Sequence, residues 1–166
     1  LMPPYMGGGE MVGNVSFEKT TYAPLPMKFE AGTQNLSSIP TLKPALKVVN
    51  SLNNNELINN IDAIRDYLLD FFKKDERIRL YGVPRGTNEE KIPLFSFSVA
   101  GVHHEDLALI LDKMGIAVRS GQMCAEPLMN RFGVTGMLRV SFAPYNTVEE
   151  AEYFVKCLDR AIGMLM

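Results

Sequence analysis

The chain has 166 residues, 46% hydrophobic and 22% charged, with a formal net charge of -2 from 17 basic and 19 acidic residues. This length supports one ordinary hydrophobic core and not two large ones, and basic residues scattered along the chain exclude the basic stripe of a nucleic-acid or membrane-surface binder. No apolar run reaches the roughly 18 residues of a spanning helix and no basic-then-apolar leader opens the chain, so the sequence predicts a cytoplasmic protein without membrane or nucleic-acid partners.

Leu at the first position, in place of Met, predicts a start by processing or within a longer product. Residues 1–35 are rich in Gly and Pro, lack a helical period, and read as loops with one short strand around Val15 to Phe17. So much irregular chain is uncommon in a small self-contained domain and predicts an arm that lies over another domain or subunit. A short helix is expected over 40–50 with Pro44 in its first turn. Beyond Asn53, Leu57, Ile61, Ile64, Leu68 and Phe71 recur at helical spacing, and Asn53 three residues before Glu56 reads as the cap.

Strands are expected at Ile78 to Tyr81, ended by the Gly82-Val83-Pro84 turn signal, and at Leu94 to Val99, where apolar residues alternate with Ser96 and Ser98. A helix follows over His104 to Met114, then a brief strand at Ile116 to Val118, a loop around Cys124, and a short helix near Pro127 to Phe132. Leu138, Val140 and Phe142 point one way along another strand, leaving Arg139 and Ser141 on the opposite face. Thr147 and Glu150 have the spacing of a capping box before a last helix whose apolar stripe is Val148, Ala151, Val155, Leu158, Ile162 and Leu165. The order predicts an α+β fold, with helices packed on a small mixed or antiparallel sheet.

Several features bear on chemistry. Cys124 lies between a short apolar run and a helix, among Gly121, Gln122 and Glu126, which are poor core formers; Arg119 is placed to stabilise a thiolate there. On residue types alone, a nucleophile and a packed filler stand level. Cys157, inside the last helix beside Phe154 and Ala161, reads as structural. Two cysteines without CxxC spacing form no metal site, and a reducing compartment argues against a Cys124–Cys157 disulfide. Arg139 is either a sheet-edge arginine reaching water or a planar fork for a carboxylate. His103 and His104 open a helix, where local capping is the commoner role. Gly7-Gly8-Gly9 and Gly32-Thr33 are each nonspecific, although a backbone N–H beside a hydroxyl can hold one phosphate oxygen. The ten methionines read as fillers of irregular gaps.

Taken together and in order, PPYMGGGEM, FEAGTQN, GIAVRSGQMCAEPLM, LRVSFAPYNT and the terminal helix resemble the C-terminal part of a SufS-like cysteine desulfurase, in the class V aminotransferase group of fold-type I enzymes. The resemblance implies a parent that depends on pyridoxal 5′-phosphate, converts L-cysteine to L-alanine, and leaves a persulfide on Cys124 for a sulfur-acceptor protein in iron-sulfur cluster assembly. It implies a homodimer, with Arg139 holding the substrate carboxylate and Thr33 reaching the cofactor phosphate of the partner subunit. It implies that residues 1–35 connect to a large domain and that 36–166 are the small C-terminal domain. None of the nine lysines stands in the motif that anchors the cofactor, so this chain alone is expected to hold none covalently and to be inactive. Two further departures stand out. Gln122-Met123 replaces the family's frequent His-His, and Gln34-Asn35 follows FEAGT where Pro-Asn is usual. Alternatives are a selenocysteine lyase or another class V enzyme, or a stand-alone sulfur-relay or binding module.

Overall fold

The computed structural model describes residues 2–82 and 91–166, and its contacts divide the chain into two compact units, Leu1–Ser51 and Leu52–Met166. The fold is α+β, as the element order predicts. Among the described residues no helix is long and apolar enough to cross a membrane.

In the first unit, β1 (Val12–Val15) pairs antiparallel with β2 (Thr20–Tyr22). The expected strand at Val15 to Phe17 is therefore displaced towards the N-terminus. Ser16 explains the displacement: its hydroxyl accepts the N–H groups of Glu18 and Lys19, at 3.3 and 3.1 Å, closing the turn that contains Phe17. The Thr-Thr-Tyr run of β2, β-branched and aromatic, carried a strand signal that the Gly- and Pro-rich surroundings hid. Single helical turns at Met27–Phe29 and Ile39–Thr41 precede α1 (Leu42–Leu52), in which Pro44 occupies the first turn as expected. No α1 side chain is buried.

The second unit begins with α2 (Asn55–Lys74). Its cap is Asn54 and not Asn53, because the side chain of Asn54 accepts the Leu57 N–H at 2.9 Å, three residues on, where a cap finds its donor. The buried face comprises Ile64, Leu68, Leu69 and Phe72. It is rotated slightly from the predicted stripe, so that Phe72 sits deeper than Phe71. Strands β3 (Ile78–Tyr81), β4 (Leu94–Val99), β5 (Arg119–Gly121) and β6 (Met137–Ser141) form an antiparallel sheet in the order β3-β4-β6-β5. The expected turn at Gly82-Val83-Pro84 lies largely outside the described residues.

The strand expected at Ile116 to Val118 lies three residues later, at β5. Here α3 (His104–Lys113) ends in a Schellman arrangement. Gly115, with φ +77°, donates to the Asp112 carbonyl at 2.9 Å, and Ile116 donates to that of Leu111 at 2.9 Å. Ile116 thus spends its N–H on the helix end and cannot open a ladder. α4 (Glu126–Phe132) and α5 (Val148–Leu165) complete the unit. Both halves of the predicted capping box form on α5: Thr147 Oγ1 accepts the Glu150 N–H and the Glu150 carboxylate accepts the Thr147 N–H.

The main core lies between one sheet face and α2, α3 and α5. Phe95, Phe97, Leu138 and Val140 meet Leu68, Phe72, Leu107, Leu111, Phe154 and Leu158. A smaller cluster of Tyr81, Met129 and Met137, with Phe132 and Val134, occupies the other face. That second cluster is what α4 covers, and it places the site.

Candidate active site

Antiparallel register sets Arg119 of β5 opposite Arg139 of β6. On its other side Arg139 stands opposite Ser96 of β4, and Ser96 opposite Tyr81 of β3. Directly opposed side chains share a face, so Tyr81, Ser96, Arg139 and Arg119 form one row across the sheet, away from the main core. Like charges set opposite one another repel, and among the described residues no acidic side chain forms an ion pair with either arginine. Two neighbouring guanidiniums without a carboxylate of their own are suited to take one from a ligand.

The loop after β5 presents the cysteine. Ala125 donates its N–H to the Gln122 carbonyl at 2.9 Å, and the two residues between them, Met123 and Cys124, have φ of 57° and 59°. Positive φ at both central positions is the mark of a type I′ turn, usually filled by Asn and Gly. Cys124 is exposed and its Sγ lies 4.0 Å from Arg119 Nη2. Met123 is half-buried, and α4 begins at once, with Pro127 in its first turn. Beneath the loop is a cavity of about 320 Å³, bounded by Arg139, Ser96, Tyr81, Met123, Met129 and Met137 among others.

The sequence-derived residues thus fall as follows. Arg119 and Cys124 are in contact, and Arg139 stands beside Arg119 at the cavity wall. Cys157 is a free thiol buried in the main core. His103 accepts the Glu105 N–H at the start of α3, at 3.4 Å, which is the local capping role, and its ring stacks on that of His104 with centroids 4.4 Å apart. Thr33 lies in the first unit. There Gly32, φ +85°, donates to the Gly9 carbonyl at 3.0 Å, and a Cβ at Gly8 would stand 3.0 Å from the Gly32 nitrogen. The two glycine motifs, each uninformative alone, therefore lie against one another. The sequence reading missed Met123, Met129 and Met137 as the cavity wall. The β6 alternation that sets Arg139 away from the core sets Met137 on the same face, and that signal was available.

The aminotransferase class-V family profile matches residues 1–154. The chain belongs to the aminotransferase class-V family. Members of this family depend on pyridoxal 5′-phosphate. This class-V chain is 39% identical to a probable cysteine desulfurase of Vibrio cholerae serotype O1, over 99% of the chain and 39% of that protein. It is 38% identical to the cysteine desulfurase CsdA of Escherichia coli K12, over 99% of the chain and 40% of that protein. The crystal structure of E. coli CsdA in its S-sulfonic acid form superposes with a TM-score of 0.83 at 38% identity, and the apo cysteine desulfurase of Thermococcus onnurineus NA1 with 0.83 at 30% identity. These cover 99% and 98% of the chain and 40% of each relative. The class-V chain spans about two fifths of the length of the relatives it matches.

Proposed function

We propose that this chain is the C-terminal part of a cytoplasmic, homodimeric cysteine desulfurase that moves sulfur from L-cysteine to Cys124 and on to an acceptor protein for iron-sulfur cluster assembly. The observation that carries the reading is an exposed cysteine on a tight turn with Arg119 at its sulfur and Arg139 one strand further on. Its relatives' names agree with it. In this reading Arg139 grips the substrate carboxylate with two parallel N–H donors and so fixes the orientation of the substrate sulfur. Arg119 supplies the positive charge beside the attacking thiolate. The Cys124 sulfur forms an S–S bond to the substrate sulfur while the substrate Cβ–S bond breaks, and the carbon fragment leaves as alanine after taking up a proton.

The cofactor, when bound, supplies the electron sink into which that bond's electron pair departs. The residues present fit one part of it. The Gly9–Gly32 contact fixes the backbone that leads into Thr33, and a hydroxyl with adjacent N–H groups suits one phosphate oxygen, here that of the partner subunit. Residues 1–35 act as the connecting arm to a large domain and 36–166 as the small domain.

The test uses a full-length parent. Cys124→Ser should abolish alanine release, by at least about a thousandfold, with cofactor absorbance retained, because the nucleophile acts after substrate is bound. Arg139→Lys should chiefly raise KM, since a point charge replaces a two-pronged clamp. Alanine release by Cys124→Ser at the parental rate would refute the assignment.

A further inference from the structure

We propose that Met123 is a positioning residue for Cys124: its half-buried side chain, at the wall of the cavity under the loop, holds the 122–125 turn in the form that keeps the sulfur beside Arg119. The backbone alone does not favour that turn. Its two central residues have positive φ and are neither glycine nor asparagine, and such conformations persist where the surroundings over-determine them. Both ends of the turn are fixed. Gly121 is paired with Met137 in the sheet, and the Ala125 carbonyl accepts the Leu128 and Met129 N–H groups at 2.9 and 3.1 Å as α4 begins. Between these ends Gln122 and Cys124 are exposed, while Met123 is half-buried and lines the cavity with Leu128, Met129 and Met137.

Met123 therefore provides the inward anchor of the turn's central pair, and Cys124, its neighbour, is turned outward. A thioether moves no proton, so Met123 has no acid–base part to play. Its unbranched, adaptable chain suits an irregular apolar gap. Without the anchor the turn can relax and the sulfur leaves the guanidinium. The catalytic consequence rests on reading Cys124 as the nucleophile, whereas the anchoring itself does not.

The experiment measures labelling of Cys124 in the 166-residue chain at low salt, read by mass spectrometry, with a dianionic aromatic disulfide and a neutral disulfide of similar size. Arg119 beside the sulfur makes the parent chain favour the anionic reagent, and Arg119→Gln lowers that preference. Met123→Ala should lower the anionic-to-neutral rate ratio about three- to tenfold, towards the Arg119→Gln value. Met123→Leu should restore it, and Met123→Ala with Arg119→Gln should fall no further than Arg119→Gln alone. An unchanged ratio in Met123→Ala, equal loss in the Ala and Leu variants, or additive losses in the double variant would overturn the proposal. Should Met123→Ala lose its native circular dichroism, Met123→Gln, similar in length but polar, decides: a lowered ratio supports anchoring by apolar burial, and a parental ratio refutes it. Failure of the desulfurase reading would show separately, as absent alanine release from a full-length parent whose Cys124 labels normally.

Discussion

Each of the two cysteines is explained by what surrounds its sulfur. Cys124 is exposed beside a guanidinium and Cys157 is 6% exposed within a packed helix face. A neutral maleimide should therefore label Cys124 well before Cys157, read by mass spectrometry of the isolated chain, and equal or faster labelling of Cys157 would remove the basis for the site. His104 is the other residue whose setting sets a property. It is buried, its Nδ1 has no hydrogen-bond partner among the described residues, and a Cβ at Gly136 would collide with its ring. Burial, and then the neighbouring His103, hold its pKa below the ordinary histidine value, with Glu105 and Asp106 opposing. As pH falls, the unfolded chain takes up this proton before the folded one does. The contribution to stability is thus complete above about pH 6.5 and is lost as pH falls through the lowered folded value. Urea unfolding between pH 7.5 and 5 should show a decline that His104→Gln flattens, and an equally steep decline in that variant would assign the effect elsewhere.

Among the elements, α5 and β5 contrast. α5 is specified locally: Thr147 and Glu150 satisfy two N-terminal donors between them, and Ala151, Leu158 and Ile162 of the expected stripe are buried, joined by Phe154, Cys157 and Ala161, while Val148, Val155 and Leu165 are only partly buried at its edge. Thr147→Ala should cost about 1 kcal/mol, visible as a lower urea midpoint, with Thr147→Ser close to the parent. An unchanged midpoint in Thr147→Ala would mean that tertiary packing alone holds the helix start. β5 is three residues long and is specified by its neighbours. The apolar Ile116 and Val118 invited a strand three residues too early, because single-sequence alternation does not reveal that Ile116 is already engaged by the end of α3. The caps of α2 and α5 show the same division. Thr147 and Glu150 were readable as a reciprocal pair, whereas among three consecutive asparagines, 53–55, the spacing to Glu56 pointed to Asn53, and only the placed Leu57 donor shows that Asn54 is the cap.

For the chain as a whole, the unequal burial of its two compact units has a consequence. Tyr5, Phe17, Tyr22 and Phe29 are exposed and α1 buries no side chain, while 52–166 enclose a continuous core. Apolar surface left in water does not hold a backbone closed, so hydrogen exchange on the dilute monomer should be fast through Gly7 to Lys28 and slow in β4, β6 and α5. Strong protection throughout Gly7 to Lys28 would show that this segment is stabilised within the chain itself. The sequence by itself determined the α+β order, the helix faces to within a slight rotation, the terminal capping box and the parity that sets Arg139 away from the core, because periodicity and capping are carried by residues within a turn or two of one another. It also carried ordered motifs strong enough to indicate the family. Only the tertiary structure decided that Arg119 stands opposite Arg139, that the two glycine motifs of the first unit touch, and that Met123 is half-buried at a cavity wall while Cys124 is exposed. Those relations depend on strand register and on the packing of α4 over the sheet, which are set by contacts between residues far apart in the chain and leave no local period to read.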